Sequence, residues 1–268
     1  MKMTKITWAL LLAGLTICAS AAGTKLDISA PAPKVLSTYY SAKAQSADKV
    51  KAALKANGFT ILAVTAPVKG ATVITVTNKE LTSTNSWLAA LNVLVDSNEV
   101  RIQSPLYFGT AYLGSTAKYG NFATTLKSFQ AALGDLSTVK DEFAAAKLPR
   151  YQFMLGMAHV DDTIEVSDAA DVSKLDKKYV AYTLKLPNGS TLVGHNLIGR
   201  TNKFLLKIDA VQNAQILPYK SMITNGKAEI LDPKYYLAVS LPLLSMGDFM
   251  HISSAPGEIE KDITRAYK

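Results

Sequence analysis

Cysteine is almost missing: Cys18 is the single one in 268 residues. One thiol excludes an internal disulfide and any multi-cysteine zinc site, and without C-x-x-C-H there is no covalent c-type haem. Histidine is nearly as scarce, with three copies. No G-x-S-x-G elbow, H-E-x-x-H helix or G-x-x-x-x-G-K-[ST] loop occurs, so the common serine-hydrolase, zincin and nucleotide-cradle chemistries have no foothold. Charge is modest: 29 basic and 21 acidic side chains give +8, with no Lys/Arg run and no basic stripe interleaved with aromatics. Nucleic acid is therefore disfavoured as a partner. After the first two dozen residues no apolar run reaches 18, so no membrane span is expected in the body.

What is present begins with an export signal. Lys2 and Lys5 precede an apolar stretch, Ile6 to Ile17, and then small residues, Ala19-Ser20-Ala21-Ala22. That order predicts a cleaved signal peptide over 1–22 and a periplasmic or secreted protein. Leu15-Thr16-Ile17-Cys18 has the outline of a lipoprotein box, but Ile17 is bulky where a small residue is needed. Otherwise Cys18 leaves with the signal.

Residues 23–33, with Pro31 and Pro33, read as a flexible leader. Then strand and helix patterns alternate. A strand is expected over 34–42. A helix is expected over 46–57, capped by Ser46 and stopped by Asn57-Gly58. Strands are expected over 59–65 and 71–77, a helix over 83–95 (Trp87, Leu88, Leu91 and Leu94 at helical spacing), and a strand over 99–102. This predicts a first α+β lobe, 34–118, of β-α-β-β-α-β type. Residues 119–170 read as a helical and acidic connection, with a second helix running toward Ala146. Its carboxylates Asp161 to Asp171 lack the turn glycine and terminal Glu of a calcium loop.

A second lobe, 171–268, carries an echo of the first. Ile102-x-x-Pro105-x-Tyr107-Phe108 keeps register with Ile230-x-x-Pro233-x-Tyr235-Tyr236. Pro187-Asn188-Gly189 marks a hairpin between strands 179–186 and 191–195. A helix is expected over 201–211. The fold class expected is thus α+β, two tandem sandwich lobes. The stretch Ala47-Asp48-Lys49-Val50-Lys51-Ala52-Ala53-Leu54-Lys55-Ala56-Asn57-Gly58-Phe59, with the β-β-α-β pattern after it, resembles the small α+β "domain of unknown function 302" family over 34–113. Through the repeat, 171–241 resembles it more weakly. The resemblance implies no reaction; some members have been linked to haem.

Candidate ligands come from two clusters, Met154-Leu-Gly-Met157-Ala-His159 and Met246-Gly-Asp-Phe-Met250-His251. Thioether and imidazole suit Cu(I) or haem iron. In a strand, Met157 and His159 share a face. His251, Met250, His159 and Met157 are therefore the candidate cofactor residues, against the alternative that they are packing. Tyr107, Phe108, Tyr235 and Tyr236 are candidates for an aromatic groove between lobes. The expected function is an exported binding protein for a small ligand, with haem or copper as options. The alternatives are an enzyme without a recognised motif and an assembly partner.

Overall fold

The computed structural model describes residues 23–268. Residues 1–22, on which the signal-peptide and Cys18 readings fall, lie outside the described residues. The chain is mixed α+β with three antiparallel sheets. Its strands are β1 (Val35–Ser37), β2 (Tyr39–Lys43), β3 (Thr60–Val68), β4 (Ala71–Thr77), β5 (Leu91–Val95), β6 (Glu99–Gln103), β7 (Ser137–Thr138), β8 (Glu142–Ala144), β9 (Thr163–Ser167), β10 (Val180–Lys185), β11 (Thr191–His195), β12 (Tyr219–Thr224) and β13 (Lys227–Leu231). The helices are α1 (Ala47–Ala56), α2 (Lys79–Thr82), α3 (Pro105–Leu113), α4 (Ala123–Leu133), α5 (Phe204–Lys207), α6 (Pro233–Ser240), α7 (Met246–His251) and α8 (Ala255–Arg265).

The six-stranded sheet runs β3-β4-β5-β6-β2-β7 and the five-stranded sheet β10-β11-β12-β13-β9. Each contains a four-strand meander whose last strand also pairs with the strand that precedes the meander in the chain: β6 with β2, and β13 with β9. A helix beginning with proline follows each meander, α3 and α6. β1 and β8 form the small third sheet.

Several elements form for the reasons their residues supply. The Ser46 side chain accepts the Lys49 amide at the start of α1, Val50 and Leu54 are buried, and Gly58 beyond the helix end takes φ +88. Gly189, at φ +89, turns the β10–β11 hairpin.

The expected helix 83–95 is corrected. A single turn of 3₁₀ helix covers Trp87–Ala89, and Leu91–Val95 is strand β5, buried at every position. Covered on both faces, a central strand shows no alternation, and its Leu spacing imitates a helix. The expected helix 201–211 shrinks to a 3₁₀ turn and the four residues of α5. No second helix runs toward Ala146; β7, β8 and a 3₁₀ stretch stand there. The connection 119–170 also contributes β9, which pairs with β13.

One buried cluster draws on both large sheets, and polar pins cross between them. The helix-end carbonyls of α6, which have no partner within the helix, accept three tyrosine hydroxyls from the earlier part of the chain. Tyr151 bonds Ala238 O (3.0 Å), Tyr107 bonds Val239 O (2.9 Å) and Tyr39 bonds Ser240 O (2.7 Å). Lys220 on β12 donates Nζ to Trp87 O (3.1 Å) and Ala90 O (2.6 Å), and burial pulls its pKa down to about 7. Tyr107→Phe should cost about 1–3 kcal/mol by orphaning a buried carbonyl, read as a lowered urea midpoint with unchanged slope.

Candidate functional site

Where the two large sheets meet, a cleft of about 280 Å³ opens between β6, the β7–β8 connection and the segments around α5 and α7. Leu241, Pro242, Leu244, Val139 and Ile208 give it an apolar wall. Arg101, Lys140, Asp141, Gln212, Asn213 and Asp248 give it a polar one. Small-molecule sites commonly combine an apolar lining with a few convergent polar groups, and this cleft has both.

Asp141 is the unusual member. It is 6% exposed, and burial pushes its carboxyl up to about 6; the nearby Arg101 charge and the Ser37 hydroxyl, 3.3 Å from Oδ1, pull the other way without cancelling the effect. The Thr38 hydroxyl donates to the Asp141 carbonyl at 2.9 Å and holds the backbone. Arg101 projects from β6 on the same side as Glu99, two residues earlier. Glu99 Oε1 takes Arg101 Nε at 2.8 Å and Nη2 at 2.5 Å. The site thus sets a fixed guanidinium near a carboxyl that changes charge in the mildly acid range. Such a pair can hold the polar end of a ligand or move a proton at Asp141.

The sequence candidates are placed elsewhere. Residues 151–162 form turns rather than a strand, so Met157 and His159 do not share a face by strand alternation. Both are half-buried. His159 Nδ1 accepts the Asp161 amide at 3.2 Å, and its Nε2 lies 3.6 Å from Asp162 Oδ2. His251 and Met250 are exposed, and as neighbours on α7 they diverge. The two clusters do approach each other: the Phe153 and Phe249 rings stack at 5.1 Å. Among the described residues no three His, Cys, Asp or Glu side chains are grouped to hold a metal ion.

Tyr107, Phe108, Tyr235 and Tyr236 are at most 3% exposed and pack in the core rather than lining an open groove. Tyr107 caps α6, Tyr236 donates to Ile216 O at 2.5 Å, and Phe108 packs edge-on against Tyr107 at 5.2 Å.

Comparison with protein-family sequence profiles, with curated proteins and with solved structures finds no match. No helix among the described residues is long and apolar enough to cross a membrane. Sequence reasoning missed Arg101 and Asp141. Arg101 fell within the strand expected over 99–102 and Asp141 within the connection 119–170, with no motif at either.

Proposed function

We propose that this is an exported binding protein for a small molecule, seated in the Arg101–Asp141 cleft with its apolar body against Leu241, Pro242 and Leu244. The observation that carries the reading is Asp141: a carboxyl buried at the edge of an apolar cleft is destabilising for the fold and useful for a ligand. The ligand class that fits is a compact molecule with an apolar body and one polar end that donates to Asp141. Export rests on residues 1–22. The two large sheets are read as copies of one unit, supported by their shared strand order and by the Ile-x-x-Pro-x-Tyr-aromatic segment that follows the same corner in each. Membership of the "domain of unknown function 302" family stays a proposal, resting on 34–113.

The test is a ¹³C-carboxyl NMR titration of Asp141. A midpoint near 6 in ligand-free protein is expected, displaced when a small-molecule extract of the exporting cells is added. A midpoint near 4, unmoved by extract, would count against the reading.

A soft-metal site is the second reading, favoured by the Phe153–Phe249 stack, which sets exposed Met154, Met246 and Met250 on neighbouring segments. Cu(I) titration against a chromophoric competitor is expected to show one site that the Met250→Ala/His251→Ala double variant loses. An unchanged titration would clear both residues. A visible spectrum of the same material, scanned for a Soret band, tests haem.

A further inference from the structure

Two polar side chains of the cleft are more than nine-tenths buried, Asp141 at 6% and Asn213 at 8% exposed, and both keep unpartnered atoms. The Ser37 hydroxyl reaches Asp141 Oδ1 at 3.3 Å, while Oδ2 has no hydrogen-bond partner among the described residues. The Asn213 side-chain amide has none at either atom. Eight polar atoms among the described residues are both sealed from solvent and unpartnered, and none belongs to the cleft lining. The free atoms of Asp141 and Asn213 are therefore accessible, and the cleft is the opening that both residues line. A buried polar group that stays open and unpaired is suited to a partner from outside. The surrounding backbone is also fixed in advance. Ser240 O, next to Leu241, takes the Tyr39 hydroxyl at 2.7 Å, and Gln215 O, two residues beyond Asn213, takes Asn92 Nδ2 at 2.9 Å. Little ordering is then left for a ligand to impose.

Charges of both signs line this one opening. Arg101 spends Nε and Nη2 on Glu99, which leaves Nη1. Lys140 is exposed and joins none of the ion pairs among the described residues. Asp248 accepts the Ser245 hydroxyl at 2.6 Å and the Ser245 amide at 3.2 Å, and these bonds hold its carboxyl below the usual carboxylate range. It is therefore ionised at neutral pH, as is Asp141 above its value of about 6.

We propose that the cleft takes a free apolar α-amino acid of leucine size; this rests on the reading of the cleft as a ligand site. An amine alone would meet Arg101 and Lys140 with nothing to offer them, and a carboxylate alone would face Asp141 and Asp248. A zwitterion meets both signs. Its ammonium donates to Asp141 Oδ2 and Asn213 Oδ1, and its carboxylate accepts from Arg101 or Lys140 and from Asn213 Nδ2. An α-amino acid carries both charges at one end, which frees the side chain to cover Leu241, Pro242 and Leu244. The cleft volume of about 280 Å³, against roughly 150 Å³ for a cavity that admits benzene, leaves room for that side chain.

L-Leucine is the probe, read at about pH 7 by the ¹⁵N–¹H signals of the Asn213 side chain in the full protein. Isoamylamine lacks the carboxylate, isocaproate the ammonium and glycine the apolar body. A saturable shift with leucine is expected, with each analogue weaker by about tenfold or more, the loss of one charge-assisted hydrogen bond or of the apolar contact. Arg101→Met should bring leucine toward the level of isoamylamine, and Asp141→Asn toward that of isocaproate. Neither variant should weaken the analogue that already lacks the matching charge. No saturable shift with leucine, or equal binding of leucine and both one-charge analogues, would overturn the proposal. The ligand series on the wild type decides this even where a variant fails to fold. Leucine silent while cell extract still shifts the Asn213 signals would refute the amino acid and leave the cleft reading standing; silence toward both would refute both.

Discussion

Asn92→Ala is expected to lower stability by about 3–6 kcal/mol, a large share of the roughly 5–15 kcal/mol that holds a typical fold. Asn92 sits on β5, fully buried, and ties the six-stranded sheet to the segment that leads into β12. Its Nδ2 donates to Gln215 O at 2.9 Å and to Leu217 O at 3.1 Å, while its Oδ1 accepts the Thr75 hydroxyl at 2.8 Å. Truncation orphans two carbonyls and a hydroxyl away from water and opens a cavity besides. Asn92→Asp keeps the Thr75 bond but faces a carboxylate against the two carbonyls, and should be no better. Exposed Asn98 is the control; Asn98→Ala should stay within about 0.5 kcal/mol. Urea unfolding checks this, and a small loss for Asn92→Ala would mean that the fold does not depend on the tie between β5 and the segment before β12.

Asp141→Asn should do the opposite and stabilise the protein. The folded pKa of Asp141, about 6, lies above its ordinary value of 3.8. Between those values the folded state keeps a proton that the unfolded chain has released. The Asp141 contribution to stability is therefore most favourable below pH 4, falls as pH rises from about 4 to 6, and stays reduced above that. An amide cannot ionise and keeps the Ser37 bond, so the variant escapes that fall. The gain should be near zero at pH 3.5 and reach about 2–3 kcal/mol at pH 7, raising Tm by several degrees. Thermal melts of both proteins across pH 3.5–8 show it. An equal Tm at pH 7 would mean that the carboxyl is better solvated than its burial indicates.

Both residues show how far sequence alone reached. The Ser46-capped helix, the Pro187-Asn188-Gly189 hairpin and the Ala71–Thr77 strand carry local signals strong enough to stand without tertiary context. β5, which carries Asn92, did not, because a strand buried on both faces loses its alternation. β12 was hidden for a related reason: Lys220 and Ser221 put polar residues inside a buried strand, justified only by carbonyls and side chains far away in the chain. The site was less legible still. Arg101 and Asp141 are brought together only because β6 pairs with β2, β2 with β7, and β1 with β8. The Met/His clusters, by contrast, were conspicuous in sequence and lie largely on the surface. The Phe153–Phe249 stack links the two segments.

The native mass of protein purified from cells that express the full 268-residue chain tests the cleft most directly, with wild type beside Asp141→Asn and Arg101→Met. Ligand binding at the cleft predicts a small organic mass carried by the wild type and lost from both folded variants. A wild type that carries nothing and takes up nothing from cell extract, or a bound mass that both variants retain, would contradict it.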